Sequence, residues 1–165
     1  MFLYGSSFGG ILAFNLSIKY PTLFTGMTLN APFFKHYNNT MDSYKYAFKF
    51  CHWFNFFFSF SQRDPSKPGF KEFAQKYAYH LEDEKIVYHA KISTISLFID
   101  EQEYARDNYA KCKVPFLVSL AKYDTVVRNS WSLELLDKLG NPLNRVLEVD
   151  GADHTTISIE KDYSL

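Results

Sequence analysis

The chain has 165 residues, one domain's worth of protein and enough to bury a sizeable core. Its 18 basic and 18 acidic side chains cancel, and no basic stripe or run of like charge occurs, so nucleic acid is not an expected partner. A hydrophobic share of 47% is ordinary for a globular chain. The aromatic share of 19% is high, and most of it lies between Phe33 and Tyr88.

In chain order, Met1–Tyr4 is a short apolar run that ends at Gly5-Ser-Ser-Phe-Gly-Gly10. Ile11, Leu12, Leu16 and Ile18 follow at roughly helical spacing, and Tyr20-Pro21 stops that helix. Gly26-Met-Thr-Leu-Asn-Ala-Pro32 reads as a second short strand closed by proline. Residues 33–95 break the alternation: they read as helical and aromatic, interrupted by Arg63-Asp-Pro-Ser-Lys-Pro-Gly69. An amphipathic helix is expected over Ser96–Lys111, and a buried strand over Val114–Leu120, which is short and almost continuously apolar. Asn129 or Ser130 is placed to cap a helix bearing Leu133, Leu135, Leu136 and Leu139, with Gly140 as its stop. Arg145–Val149 is a fourth strand, leading into the loop Asp150-Gly-Ala-Asp-His154. Strands alternating with helices predict an α/β fold, a parallel sheet covered on both faces. The expected division is 1–33 and 96–165 as the core, with 34–95 inserted between them.

Cys51 and Cys112 match no metal-ligand or redox spacing and read as two free thiols. Asn15-Leu-Ser and Asn38-Asn-Thr are formal glycosylation sequons, relevant only to a secreted protein. The apolar N-terminus lacks the basic region of a signal peptide, and no apolar run reaches the ~18–20 residues that span a bilayer. These features predict a soluble, cytoplasmic protein.

Gly5-Ser6-Ser7-Phe8-Gly9 fits G-x-S-x-G between a strand and a helix. At average composition the five-residue pattern arises by chance in roughly one such chain in twenty; its placement is what makes it informative. The nucleophile of such an elbow sits in a strained turn where strand and helix backbones nearly touch, so its neighbours two residues away must be small. A serine hydroxyl needs a histidine to take its proton, and the histidine needs an acid to hold its tautomer. Asp124 and His154 each follow a predicted strand, in the order serine, aspartate, histidine, at the sheet edge where open α/β sheets bind ligands. Asp150 and Asp153 are rival acids, but neither follows a strand of its own. His36, His52, His80 and His89 fall in the aromatic middle and read as ordinary surface or core residues. No histidine pair stands with a carboxylate at metal-ligand spacing, so neither metal nor cofactor is expected.

Tyr4-Gly-Ser-Ser-Phe-Gly-Gly10, Asn30-Ala-Pro32, Val114-Pro-Phe-Leu-Val118, Tyr123-Asp-Thr-Val-Val127 and Asp150-Gly-Ala-Asp-His154 resemble the monoacylglycerol lipase and lysophospholipase group of α/β-hydrolases. The related serine-aminopeptidase-like hydrolases share these patterns. The resemblance spans essentially the whole chain. It implies the C-terminal half of an α/β-hydrolase parallel sheet flanked by helices, with a helical lid inserted after the second strand. It also implies Ser7, Asp124 and His154 as the triad, with the Phe8 backbone N–H as an oxyanion donor. The family usually carries histidine where this chain has Ser6. Its sheet begins several strands earlier, with an HG-type loop that gives a second oxyanion N–H, so residues 1–165 alone are expected to be nearly inactive and poorly soluble.

Phe50, Trp53, Phe54, Phe57 and Phe58 fall on one face of a helix. That face is either core or the inner side of a lid that covers an acyl chain or touches a membrane surface. The expected function is cleavage of acyl esters of glycerol or lysophospholipids through an acyl-enzyme, with a small lipid ester as the partner. A peptidase of the same superfamily and a catalytically silent fragment are the alternatives.

Overall fold

The computed structural model describes residues 1–37, 43–53, 59–61, 89–154 and 157. The chain divides into two compact units, Met1–Ser43 with Phe98–Leu165, and Tyr44–Leu97.

The first unit is built on strands β1 (Phe2–Ser6), β2 (Gly26–Asn30), β5 (Phe116–Ala121) and β6 (Arg145–Val149), with helices α1 (Phe8–Lys19), α3 (Ile92–Asn108, from Phe98 on) and α4 (Asn129–Leu139). The four strands pair in the order β1-β2-β5-β6, and every pairing is parallel. Met27 lies opposite Phe116 and Leu29 opposite Val118, so one face of the sheet presents an unbroken apolar layer. Ile11, Phe14 and Ile18 of α1, Ala105 of α3 and Leu135 of α4 bury against it. Phe14 makes edge-on ring contacts with Phe34 and Phe116.

The strand order runs one way across the sheet. Right-handed crossovers between parallel strands then put each connecting helix on the same side. Among the described residues, the opposite face carries Phe2 and Tyr4, 79% and 68% exposed, with Thr28 and Leu117 half-buried. The capping expectation for α4 is corrected at its start. The N-cap is Arg128, without a side-chain cap bond, because the Asn129 amide donates instead to the Ala121 carbonyl at the end of β5. At its other end Gly140 takes the left-handed conformation, φ 56°, and its N–H reaches the Leu136 carbonyl.

The second unit contains α2 (Lys45–His52) and a short antiparallel pair, β3 (Ser59–Ser61) with β4 (His89–Lys91), and the first turn of α3. The antiparallel pair departs from the all-helical expectation for residues 33–95; these three-residue strands are too short to show a period of two in the sequence.

Both cysteines are free, and burial pushes the Cys112 thiol pKa up. Asn15 is 1% exposed and its amide donates to the Glu101 side chain and carbonyl, so the folded chain does not offer it for glycosylation. Among the described residues, no helix is long and apolar enough to cross a membrane.

Leu29 of β2, fully buried beside Val118 of β5, lies in this core. Leu29→Ala is expected to cost about 2–5 kcal/mol, whereas Tyr4→Ser on the open face should stay within about 0.5 kcal/mol. Urea denaturation of the two variants measures the difference.

Candidate active site

Ser7 is the single residue between β1 and α1, and its backbone has φ 52° and ψ −120°. A non-glycine residue held there stores about 1–3 kcal/mol of strain. The strain comes from an abrupt reversal that lets α1 start directly over the end of β1. At Gly5, a Cβ would stand 2.6 Å from the Gly9 carbonyl carbon and 2.8 Å from Gly10 Cα. At Gly10 it would stand 2.9 Å from Pro32 Cβ. The expectation that both glycines of G-x-S-x-G are set by close approach holds for Gly5 and fails for Gly9, where a Cβ would meet nothing within 4 Å. Gly9 sits on the outer side of the first helical turn, and Gly10 takes the packed position.

Asp124 follows β5 in a tight turn that begins with its own N–H donating to the Ala121 carbonyl. Its side chain is completely buried. One carboxylate oxygen, Oδ1, accepts the backbone N–H groups of Val126 and Val127, each at 2.8 Å. The other, Oδ2, lies 2.7 Å from Nδ1 of His154. Nε2 of that imidazole lies 2.8 Å from Ser7 Oγ. Asp124 therefore accepts the Nδ1 proton, leaving the Nε2 lone pair to accept the serine hydroxyl proton. Two backbone amides fix one end of this relay and the strained elbow fixes the other.

The loops carrying Asp124 and His154 are tied directly to each other. Lys122 N–H donates to the Val149 carbonyl, and Tyr123 N–H donates to the Ala152 carbonyl. Asp150, the rival acid, is exposed and pairs with Lys122 at 3.3 Å. That contact holds the Asp150 carboxyl below its ordinary pKa and raises that of Lys122. The pair's contribution is present above the ordinary carboxylate range and fades as pH falls through the lowered Asp150 value. It leaves His154 to Asp124.

Phe8 is the first residue of α1, where a helix N–H has no intrahelical acceptor. Its ring packs against Phe98, tilted at 48° with centroids 4.3 Å apart, and Phe98 meets Phe33 at 5.6 Å. With Ala31, Ala121, Val127, Ala152 and Ile157 these rings form a second apolar cluster at the end of the sheet where Ser7 sits. Of the aromatic face expected over residues 50–58, Phe50 ends α2's last turn at 68% exposure and Trp53 follows it at 87%. Phe54, Phe57 and Phe58 lie outside the described residues. Among the described residues, no group of three or more His, Cys, Asp or Glu could hold a metal ion.

The sequence reading missed the Val126 and Val127 amides, although Asp124-Thr-Val-Val127 carries the Asx-turn signal, an aspartate whose side chain bonds the backbone two residues on. It also missed the exit turn of β2, where Ser7 N–H donates to Asn30 O and Phe33 N–H donates to Ser7 O. No side-chain type announces a backbone contact of that kind.

The sequence profile described as "Serine aminopeptidase, S33" matches residues 1–162. The chain belongs to this family. Its members are α/β-hydrolases, and solved structures similar to this chain agree. A monoacylglycerol lipase from Paleococcus ferrophilus superposes with a TM-score of 0.79 at 20% identity, over 98% of this chain and 63% of that one. A soluble variant of the Saccharomyces cerevisiae monoglyceride lipase, bound to a substrate analog, gives 0.71 at 15%, over 94% and 54%. A thermostable carboxyl esterase from Bacillus coagulans gives 0.70 at 15%, over 98% and 59%. This S33 chain thus spans less than two thirds of the length of each. No curated protein matches it significantly in sequence.

The two glycines of the elbow motif should separate on substitution. Gly5→Ala drives a methyl into backbone and is expected to cost about 3 kcal/mol, the upper end for overpacking. Gly9→Ala, in a helix with open space, should be neutral or stabilising by up to about 1 kcal/mol. Chemical denaturation of the two proteins reads both.

Proposed function

We propose that this chain carries the catalytic centre of a serine hydrolase that cleaves acyl esters of glycerol or of lysophospholipids. The observation that carries the reading is the unbroken line of hydrogen bonds from Ser7 Oγ through His154 to buried Asp124. In the proposed reaction Ser7 Oγ attacks the ester carbonyl carbon while His154 Nε2 takes the hydroxyl proton. Asp124 stabilises the imidazolium that results. The negative charge gathering on the carbonyl oxygen is met by the Phe8 N–H at the positive end of α1. His154 then returns its proton to the departing alcohol, leaving the acyl group on Ser7. Water, deprotonated by His154, attacks that acyl-enzyme, and the proton passes back to Ser7 as the fatty acid leaves.

A lipid substrate is supported by the lipase and esterase names of the structural neighbours and by the aromatic-rich segment 34–95, to whose apolar side chains we assign acyl-chain preference. The description of the matching family favours a second reading, removal of N-terminal residues from peptides by the same three side chains. Monoacylglycerol and an aminoacyl anilide, assayed side by side, separate the two.

In a protein that carries the family's upstream strands ahead of residue 1, a fluorophosphonate probe should label the wild type and fail to label Ser7→Ala; labelling that survives the substitution refutes the assignment. Asp124→Asn should lower turnover on the order of 10⁴-fold, because the imidazole then loses its tautomer. A rate near wild type would overturn the role given to Asp124.

For the aromatic segment, Phe50→Ser with Trp53→Ser should flatten the preference for long over short acyl esters. Each methylene sequestered from water contributes about 0.8 kcal/mol to that preference. An unchanged ratio of long-chain to short-chain rates would remove these side chains from substrate selection.

A further inference from the structure

Strand β2 ends in a turn that touches Ser7 at both ends of the residue. The Ser7 N–H donates to the Asn30 carbonyl at 2.9 Å, and the Phe33 N–H donates to the Ser7 carbonyl at 2.9 Å. Between these contacts lies Ala31, with φ 41°, which together with Ser7 makes up the positive-φ non-glycine residues of the described chain. A positive φ at this point turns the chain back within one residue. That reversal brings the Asn30 carbonyl and the Phe33 amide to the same neighbour three positions apart. Ala31 is itself held from the far side, its N–H donating to the Ser119 carbonyl of β5 at 2.8 Å. Pro32 closes against Gly10 of α1, so the turn is wedged between helix and sheet. It is buried, with Ala31 at 1% exposure.

We propose that Ala31-Pro32-Phe33 is a positioning clamp for the nucleophile: two backbone hydrogen bonds from a strained turn hold the Ser7 peptide in its own strained conformation and so aim Oγ at His154. The inference rests on the reading of Ser7 as nucleophile only for its catalytic consequence. The two strained residues support each other. Ser7 does not adopt φ 52° by preference, and the clamp supplies an acceptor for its N–H and a second donor to its carbonyl, which also accepts the Gly10 N–H. Ala31 and Phe33 are thus positioning residues, acting through Ser7 and touching no substrate.

The test removes one bond and leaves the side chains alone. Replacing Phe33 by its α-hydroxy analogue, phenyllactate, converts the Pro32–Phe33 amide into an ester that lacks the N–H but keeps the ring on Phe98. Amide hydrogen exchange is then followed at Ser7, with Leu29 and Val118 as references for an intact core. The expected result is exchange at Ser7 faster by about fivefold, the size of one ordinary internal hydrogen bond, with the references unchanged. On a short p-nitrophenyl ester, kcat per folded molecule should fall by a similar factor at constant KM; unchanged exchange at the reference amides shows that the fall is not a loss of folded protein. Ala31→Gly, which keeps the positive φ at no steric cost, should leave Ser7 exchange within twofold of wild type, whereas Ala31→Val should raise it as the ester does. Ser7 exchange unaltered in the ester protein overturns the clamp. Because exchange needs no turnover, failure of the fluorophosphonate to label Ser7 in the protein that carries the upstream strands refutes the proposed function and leaves the clamp to be judged by exchange alone.

Discussion

The structure depends on one close approach, the meeting of β1 and α1 backbones at Gly5 with no room for a side chain between them. That contact forces the chain to reverse at Ser7, and the reversal starts α1 over the end of the strand. From there α1 lays Ile11, Phe14 and Ile18 along the sheet, so the same constraint that strains the serine also seeds the main core. The strain is local and the packing is extensive. Burial of three large apolar side chains, each worth about 1.5–3 kcal/mol, outweighs the 1–3 kcal/mol held in the elbow.

Around that elbow the polar groups are fixed by backbone more than by other side chains. Asp124 is held by two valine amides, and Ser7 is gripped through its own peptide groups. The two loops that carry Asp124 and His154 bond to each other through main-chain groups of Lys122 and Tyr123. Such contacts survive exchange of the side chains that contribute them. They confine sequence demands to a few positions: a small residue where backbones meet, a carboxylate at 124, an imidazole at 154.

That distribution explains what could be read before the structure was at hand. The four parallel strands and three helices of the first unit were legible because apolar runs, Pro21 and Gly140 punctuate them. Ser7, Asp124 and His154 stood out because each follows a strand, and His154 is the one histidine of the sequence outside the aromatic middle. The side of the sheet on which the connecting helices lie was not legible, since it follows from strand order and crossover handedness, not from any local pattern. The Arg128 cap escaped for a different reason. Asn129 is a good capping residue, but its amide serves the Ala121 carbonyl, a tertiary partner invisible in a window of neighbouring residues. The loose fit at Gly9 shows the motif itself over-read: a consensus glycine marked a family pattern at a place where this chain has space to spare.

Ser7 and His154, in hydrogen-bond contact, are separated by 147 positions in the chain, and β6, which leads to the histidine, pairs with β5. Contacts of such sequence separation must overcome loop-closure entropy before they repay it, and parallel sheets built from them fold slowly. The elbow is assembled from neighbours within the first thirty-odd residues, but its hydroxyl meets an imidazole only once the last strand has docked. On the proposed chemistry, partly folded chains are chemically silent, and the fraction of molecules that accept a serine-directed probe counts those in which β6 has docked on β5.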